Sequence, residues 1–157
     1  MRTDNRKVKN TVISIYLVLI VLAILIVVVF KYLEIFIDSS LFVFSGLFLL
    51  LVIFHFIAGY FEYDSDAYKV MILNKGLVLT VYLNYRQNQL EFARNQLVNY
   101  KVENFIIYKS LVVLIKNYEG DIKKERFNVT LLKQKKLKFV KQSLNKIVKE
   151  NRKRKQG

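Results

Sequence analysis

Two uncharged stretches constrain this chain more than anything else in it. Residues 11–30 contain no charge, and sixteen of those twenty are Val, Ile, Leu or Phe; residues 41–60 are also uncharged, with fourteen of those four types. Twenty residues of helix at 1.5 Å rise cover about 30 Å, the thickness of a bilayer's hydrocarbon core. At roughly −0.3 to −0.6 kcal/mol per large apolar residue near the helix centre, insertion of the first run is favourable by several kcal/mol. A cleaved leader would carry a shorter apolar core and a small-residue site after it, and neither is present. The expectation is a membrane hairpin: a first span over 11–32, a short external turn over 33–40 and a second span over 41–60.

Basic residues near the span ends set the orientation. Residues 1–10 carry Arg2, Arg6, Lys7 and Lys9, whereas the connection holds Lys31 beside Glu34 and Asp38; Lys69 and Lys75 follow the second span. Both ends of the chain are therefore expected in the cytoplasm, in a bacterial inner membrane. His55 is the single histidine and, within the two uncharged runs, the one side chain that titrates near neutral pH. It falls on a stripe with Ser45, Phe48, Val52 and Gly59 at helical spacing, and Ser14 lies at similar depth on the first helix. Neither span offers an acid for a proton relay, so Ser14, Ser45, His55 and Gly59 are read as helix–helix packing residues.

From residue 61 the pattern changes from continuous to alternating. Phe127, Val129 and Leu131 alternate with polar neighbours, as do Val98, Tyr100 and Val102, the mark of half-buried antiparallel strands. Residues 111–115 are a short branched run ending in Asn117-Tyr118-Glu119-Gly120-Asp121, a turn signal. Asn74-Lys75-Gly76 is read as another turn, joining strands over 68–73 and 77–83. Near Lys133 the period switches to helical: Leu137, Val140, Leu144, Ile147 and Val148 form one apolar stripe. The reading is six or seven antiparallel strands in a bent sheet or barrel, closed by a helix over about 133–150 that docks on the sheet, with a basic tail over 152–157.

A resemblance emerges at this point. The entry Phe61-Glu62-Tyr63, the hairpin around Asn74-Lys75-Gly76, the segment Leu97-Val98-Asn99-Tyr100-Lys101-Val102 and the closing helix resemble the bacterial pleckstrin-homology-like domains found behind one or two membrane helices. The resemblance covers residues 61–151 and implies a strongly bent sheet or partly open barrel with one end capped by the helix. The basic motif by which eukaryotic relatives hold phosphoinositides has no counterpart here.

The formal net charge is +14. Its densest part is residues 133–155, where eleven bases meet one acid, Glu150. Lys135, Lys136, Lys138, Lys141, Lys146, Lys149, Arg152, Lys153, Arg154 and Lys155 are the candidate contacts to anionic lipid headgroups or to RNA. Cysteine is absent, which removes disulfides and thiolate chemistry; one histidine removes two-histidine metal motifs; no Gly-rich phosphate loop or nucleophile elbow occurs. Glu62, Asp64 and Asp66 lack the glycine and the terminal glutamate of a calcium loop and are read as partners for basic residues. The expectation is no enzyme, cofactor or metal. It is instead a membrane-anchored interaction module, a scaffold or accessory subunit with a protein partner, with a ribosome or RNA tether as the alternative.

Overall fold

The computed structural model describes residues 2–32, 39–76, 87–118 and 120–156, with backbone only at 31, 39–44, 55–57 and 155–156. A short strand β1 (Arg2–Asp4) precedes two helices, α1 (Arg6–Tyr32) and α2 (Ser39–Ile57). Among the described residues six more strands follow: β2 (Gly59–Ser65), β3 (Lys69–Gly76), β4 (Asn88–Ala93), β5 (Leu97–Asn104), β6 (Lys109–Lys116) and β7 (Ile122–Asn128). The last element is α3 (Gln134–Gln156). The strands form two antiparallel sheets, ordered β1-β2-β3-β4 and β5-β6-β7.

α1 is long and apolar enough to cross a membrane, and among the described residues it is the one helix that is. The second expected span does not keep its bounds. Its described apolar stretch is Ser45–Phe54, and Gly59 and Tyr60 belong to β2. The helix stops at Ile57 because the next backbone groups have sheet partners: Gly59 pairs with Gly76 and Tyr60 with Lys75. The expected basic leader is also partly sheet. Arg2, Thr3 and Asp4 pair with Asp64, Tyr63 and Glu62, which places β1 on the outer edge of β2. Most of the expected external turn lies outside the described residues.

β2 is buried along almost its whole length, since it has neighbours on both edges and packing on both faces. Phe61 and Tyr63 point into the core, each stabilising it by about 1.5–3 kcal/mol through burial. On the other face the Tyr60 hydroxyl donates to Glu62 Oε2 at 2.7 Å, and Arg2 reaches Glu62 Oε1 at 2.6 Å. That pairing satisfies a carboxylate which would otherwise be costly to bury.

Asn74-Lys75-Gly76 is not a turn. These residues complete β3 opposite Phe61, Tyr60 and Gly59, so tertiary pairing overrides a turn-like composition. The strand expected over 77–83 lies outside the described residues. The Asn117–Asp121 turn forms as read: Asn117 N–H donates to the Asp121 carbonyl at 2.8 Å, and Gly120 adopts φ 98°, a left-handed conformation suited to glycine.

α3 docks as expected. Leu137, Val140, Leu144, Ile147 and Val148 are buried in one cluster with residues of both sheets. The helix runs on to Gln156, so the stretch read as a basic tail is helical through Arg152, Lys153 and Arg154.

Candidate functional site

Strand direction gives the domain two ends. β2 leaves α2 at Gly59 and reaches its far end at Ser65; β3 returns from Lys69 to Gly76. Seven residues of strand separate the ends by about 20 Å.

At the root end, asparagine side chains do the work of backbone. Asn5 Nδ2 donates to the Gly59 carbonyl at 2.8 Å, and Asn5 Oδ1 accepts the Phe61 N–H at 2.9 Å. The start of α1 is thereby held against the strand that leaves α2. Asn74 joins the two sheets: its Oδ1 accepts the Asn128 N–H and its Nδ2 donates to the Asn128 carbonyl, both at 3.0 Å. Gly59 fits closely here, because a Cβ at that position would stand 3.2 Å from Asn128 Nδ2. Lys9 also turns inward, with its ammonium 5.3 Å from the centre of the Tyr60 ring.

At the far end, α3 grips the connection between the sheets. Asn151 Nδ2 donates to the carbonyls of Arg94 and Leu97 at 2.7 and 2.9 Å. Arg94 Nη2 meets Glu150 Oε2 at 2.9 Å. Beside them is a cleft of about 610 Å³ whose lining includes Tyr68, Arg94, Lys146, Glu150 and Arg154. A second cleft of about 400 Å³ opens near the ends of β4 and β6, lined in part by Phe92, Lys116, Tyr118 and Lys123. Basic and aromatic side chains line both clefts, together with Glu91 in the smaller and Glu150 in the larger. Among the described residues no group of His, Asp or Glu is placed to hold a metal.

The shifted titrations report packing. Burial raises Tyr63, whose hydroxyl lies 2.8 Å from Ser143 Oγ, and burial raises Tyr100, whose hydroxyl donates to the Lys141 carbonyl at 3.0 Å. Lys69 is raised by its hydrogen bond to Glu91. Each of these groups stays protonated at neutral pH.

The structure divides the basic residues of α3. Lys135, Lys138, Lys141, Lys146, Lys149, Arg152, Lys153 and Arg154 are exposed, and the Lys155 side chain lies outside the described residues. Lys136 is used internally: it donates to the Asp4 carbonyl and stands 3.8 Å from Asp4 Oδ1. That contact puts the start of α3 at the root end, while Asn151 puts Arg152–Arg154 at the far end. The helix-packing set is scattered. Ser14 is exposed and donates back to the Asn10 carbonyl of its own helix at 3.1 Å; Ser45 is exposed; Gly59 is a sheet residue. His55 lies on α2, and its side chain is outside the described residues. Among the described residues one contact between the helices is aromatic, Tyr16 stacked on Phe54 with centroids 6.4 Å apart.

Phe105-Ile106-Ile107-Tyr108 link β5 to β6. Three of these are large, exposed apolar residues, and their signal was available: four apolar residues stand where a hairpin calls for Gly, Asn or Asp. No family model matches this chain, and no curated protein or solved structure matches it either.

Proposed function

We propose that the chain is a membrane-anchored interaction module of the pleckstrin-homology-like kind, serving as a scaffold or accessory subunit at the cytoplasmic face of a bacterial inner membrane. One observation carries this reading. Asn5, which starts α1, is hydrogen-bonded to Gly59 and Phe61, which follow α2. A chain that leaves the domain through a membrane-long α1 therefore returns to its starting level, and α2 is the return path. Nineteen residues of α2 rise about 28 Å, close to the thickness to be crossed. Both ends of the chain then share one side, and the excess of basic residues makes that side the cytoplasm.

The root end faces the bilayer in this arrangement, and the clefts and the cationic half of α3 face the cytosol. Acidic surfaces of a protein partner fit them by charge and by the aromatic walls. Anionic headgroups fit only the first turns of α3, near Lys135 and Lys138, because the helix rises about 34 Å away from the root. The remoteness of Arg152–Arg154 also favours a second reading, an RNA or ribosome tether that grips phosphates away from the membrane.

Full-length protein purified from gently solubilised membranes separates the two. A stoichiometric protein partner that survives nuclease and is weakened by Lys116→Glu with Lys123→Glu supports the module. Ribosomal RNA that vanishes with nuclease or moderate salt supports the tether and removes the module reading.

A further inference from the structure

The loop between β5 and β6 is built against the ordinary rules of hairpins. Asn104 and Lys109 form the last strand pair, and the Phe105 N–H closes the turn on the Tyr108 carbonyl at 2.7 Å. The two residues at its tip are Ile106 and Ile107, where hairpins favour Gly, Asn or Asp. Phe105 is 55% exposed, Ile107 61%, and Ile106 fully exposed, so among the described residues the two isoleucines of the tip find no cover. Folding gains nothing from such a tip, and a soluble surface avoids one.

Its position says what it meets. Gly59 leads out of α2 and packs on Asn128; Asn128 pairs with Ser110; Ser110 is one residue from Lys109. The loop therefore lies at the root end, with β5 two strand spacings, about 10 Å, to the side of β7. Heights agree as well. Residues 6–10 of α1 rise about 7 Å before the apolar run begins, and a two-residue projection beyond the last strand pair reaches about as far. The surrounding charge suits an anionic surface: Arg6 and Lys7 are exposed on the first turn of α1, and the nearby Glu103 is occupied by Arg126 at 3.4 Å and Lys101 at 3.6 Å.

We propose that the 105–108 loop is a second membrane contact, with Ile106 and Ile107 seated in the interfacial layer of the bilayer that holds α1. This rests on the anchor reading above. The loop and the helical stem then fix the tilt of the domain, because two separated contacts define an orientation more firmly than one. Tyr108 and Phe105, 6.2 Å apart, flank the tip at the depth where aromatic rings favour the headgroup boundary.

The chain has no cysteine, so one introduced thiol is a unique handle. Full-length Ile106→Cys, carrying an environment-sensitive fluorophore, is reconstituted in phosphatidylethanolamine–phosphatidylglycerol vesicles; Leu22→Cys reports the anchor and Tyr118→Cys the far end. The expected result is blue-shifted emission at position 106, quenched by lipids labelled near the headgroup and protected from aqueous iodide, with the reverse at 118. Iodide quenching at 106 while Leu22→Cys is quenched by lipid overturns the inference and leaves the anchor standing. Protection at 106 from both quenchers overturns it in favour of a protein covering the loop. Failure of lipid quenching at Leu22→Cys overturns the anchor and the loop contact together.

Discussion

The Asn5 N–H donates to the Phe61 carbonyl at 3.1 Å, and the Phe61 N–H donates back to the Asn5 side chain at 2.9 Å. The pair has the pattern of two residues in a ladder, but one of the two acceptors is an amide side chain. That substitution lets β1 stop at Asp4 and α1 start at Arg6 without leaving Phe61 unsatisfied. The Asn5 carbonyl meanwhile accepts the Lys9 N–H at 2.8 Å, the first helical bond of α1. Strand pairing and helix initiation thus meet in one buried residue.

Asn5→Ala should therefore destabilise the domain more than an ordinary cap does. It removes two side-chain bonds and strands the Gly59 carbonyl and the Phe61 N–H, at about 1–3 kcal/mol for each buried unpaired group. Asn5→Asp keeps an acceptor for Phe61 but sets a buried carboxylate oxygen against the Gly59 carbonyl, so it should also fall below wild type. Thermal unfolding in mild detergent, followed by the far-ultraviolet sheet signal, checks both; equal midpoints for wild type and Asn5→Ala would discard this account of the junction.

Asn5 also shows what was legible in the sequence. The apolar runs, the alternating strands and the amphipathic α3 were readable, because each leaves a period that local chemistry imposes. The role of Arg2–Asp4 was not, since three residues have no period and gain strand structure only from β2. Asn74-Lys75-Gly76 misled for the same reason: the composition is that of a turn, but Asn74 is spent on the Tyr60 and Asn128 carbonyls at 2.9 and 3.0 Å. The basic residues of α3 were visible as a class, but their division between root and far ends depends on contacts with Asp4 and Arg94, distant in sequence.

Tyr63 supplies a pH dependence with a definite sign. Its pKa in the fold is raised above the ordinary 10.0, chiefly by burial, so the folded state holds the phenolic proton more tightly than the unfolded chain. The resulting stability is fully present below 10 and is lost as pH rises through the folded value. Tyr63→Phe removes the hydrogen bond to Ser143 and should cost about 0.5–1.5 kcal/mol at neutral pH. The same variant should lose less than wild type on the alkaline side of 10. Denaturant midpoints across that range test it; parallel curves would show that Tyr63 is not the titrating group.

The stacking of Tyr16 on Phe54 predicts which faces of α1 and α2 meet. A chain carrying Tyr16→Cys with Phe54→Cys should be joined within the chain by a short membrane-permeant bis-thiol crosslinker, seen as faster migration on a denaturing gel. Tyr16→Cys with Leu49→Cys should not, because five residues of helix turn Leu49 to another face. Phe54→Ala should loosen the pair by about 0.5–1.5 kcal/mol beyond the area lost. Crosslinking of equal yield in both double variants would mean that the helices have no fixed register.

α3 combines two jobs on one helix, and substitutions should separate them. Leu144 is fully buried in the cluster that joins both sheets, while Arg152, Lys153 and Arg154 are exposed about two turns and more beyond it. Leu144→Ala leaves a cavity as well as losing transfer energy, so the expected cost is ~2–5 kcal/mol, a large share of a small domain's stability. Replacing Arg152, Lys153 and Arg154 together by Gln should leave unfolding almost unchanged, since solvated charges on a helix contribute little. The same triple variant should weaken any salt-sensitive binding to a polyanion, with a shallower dependence of affinity on salt. Asn151, next to this stretch, belongs with Leu144: Asn151→Ala leaves the Arg94 and Leu97 carbonyls without their donor and should also lower the transition. Denaturation curves and polyanion titrations on the same four proteins decide the matter. If the triple Gln variant unfolds as readily as Leu144→Ala, the charged end of α3 is structural, and no partner needs to be sought for it.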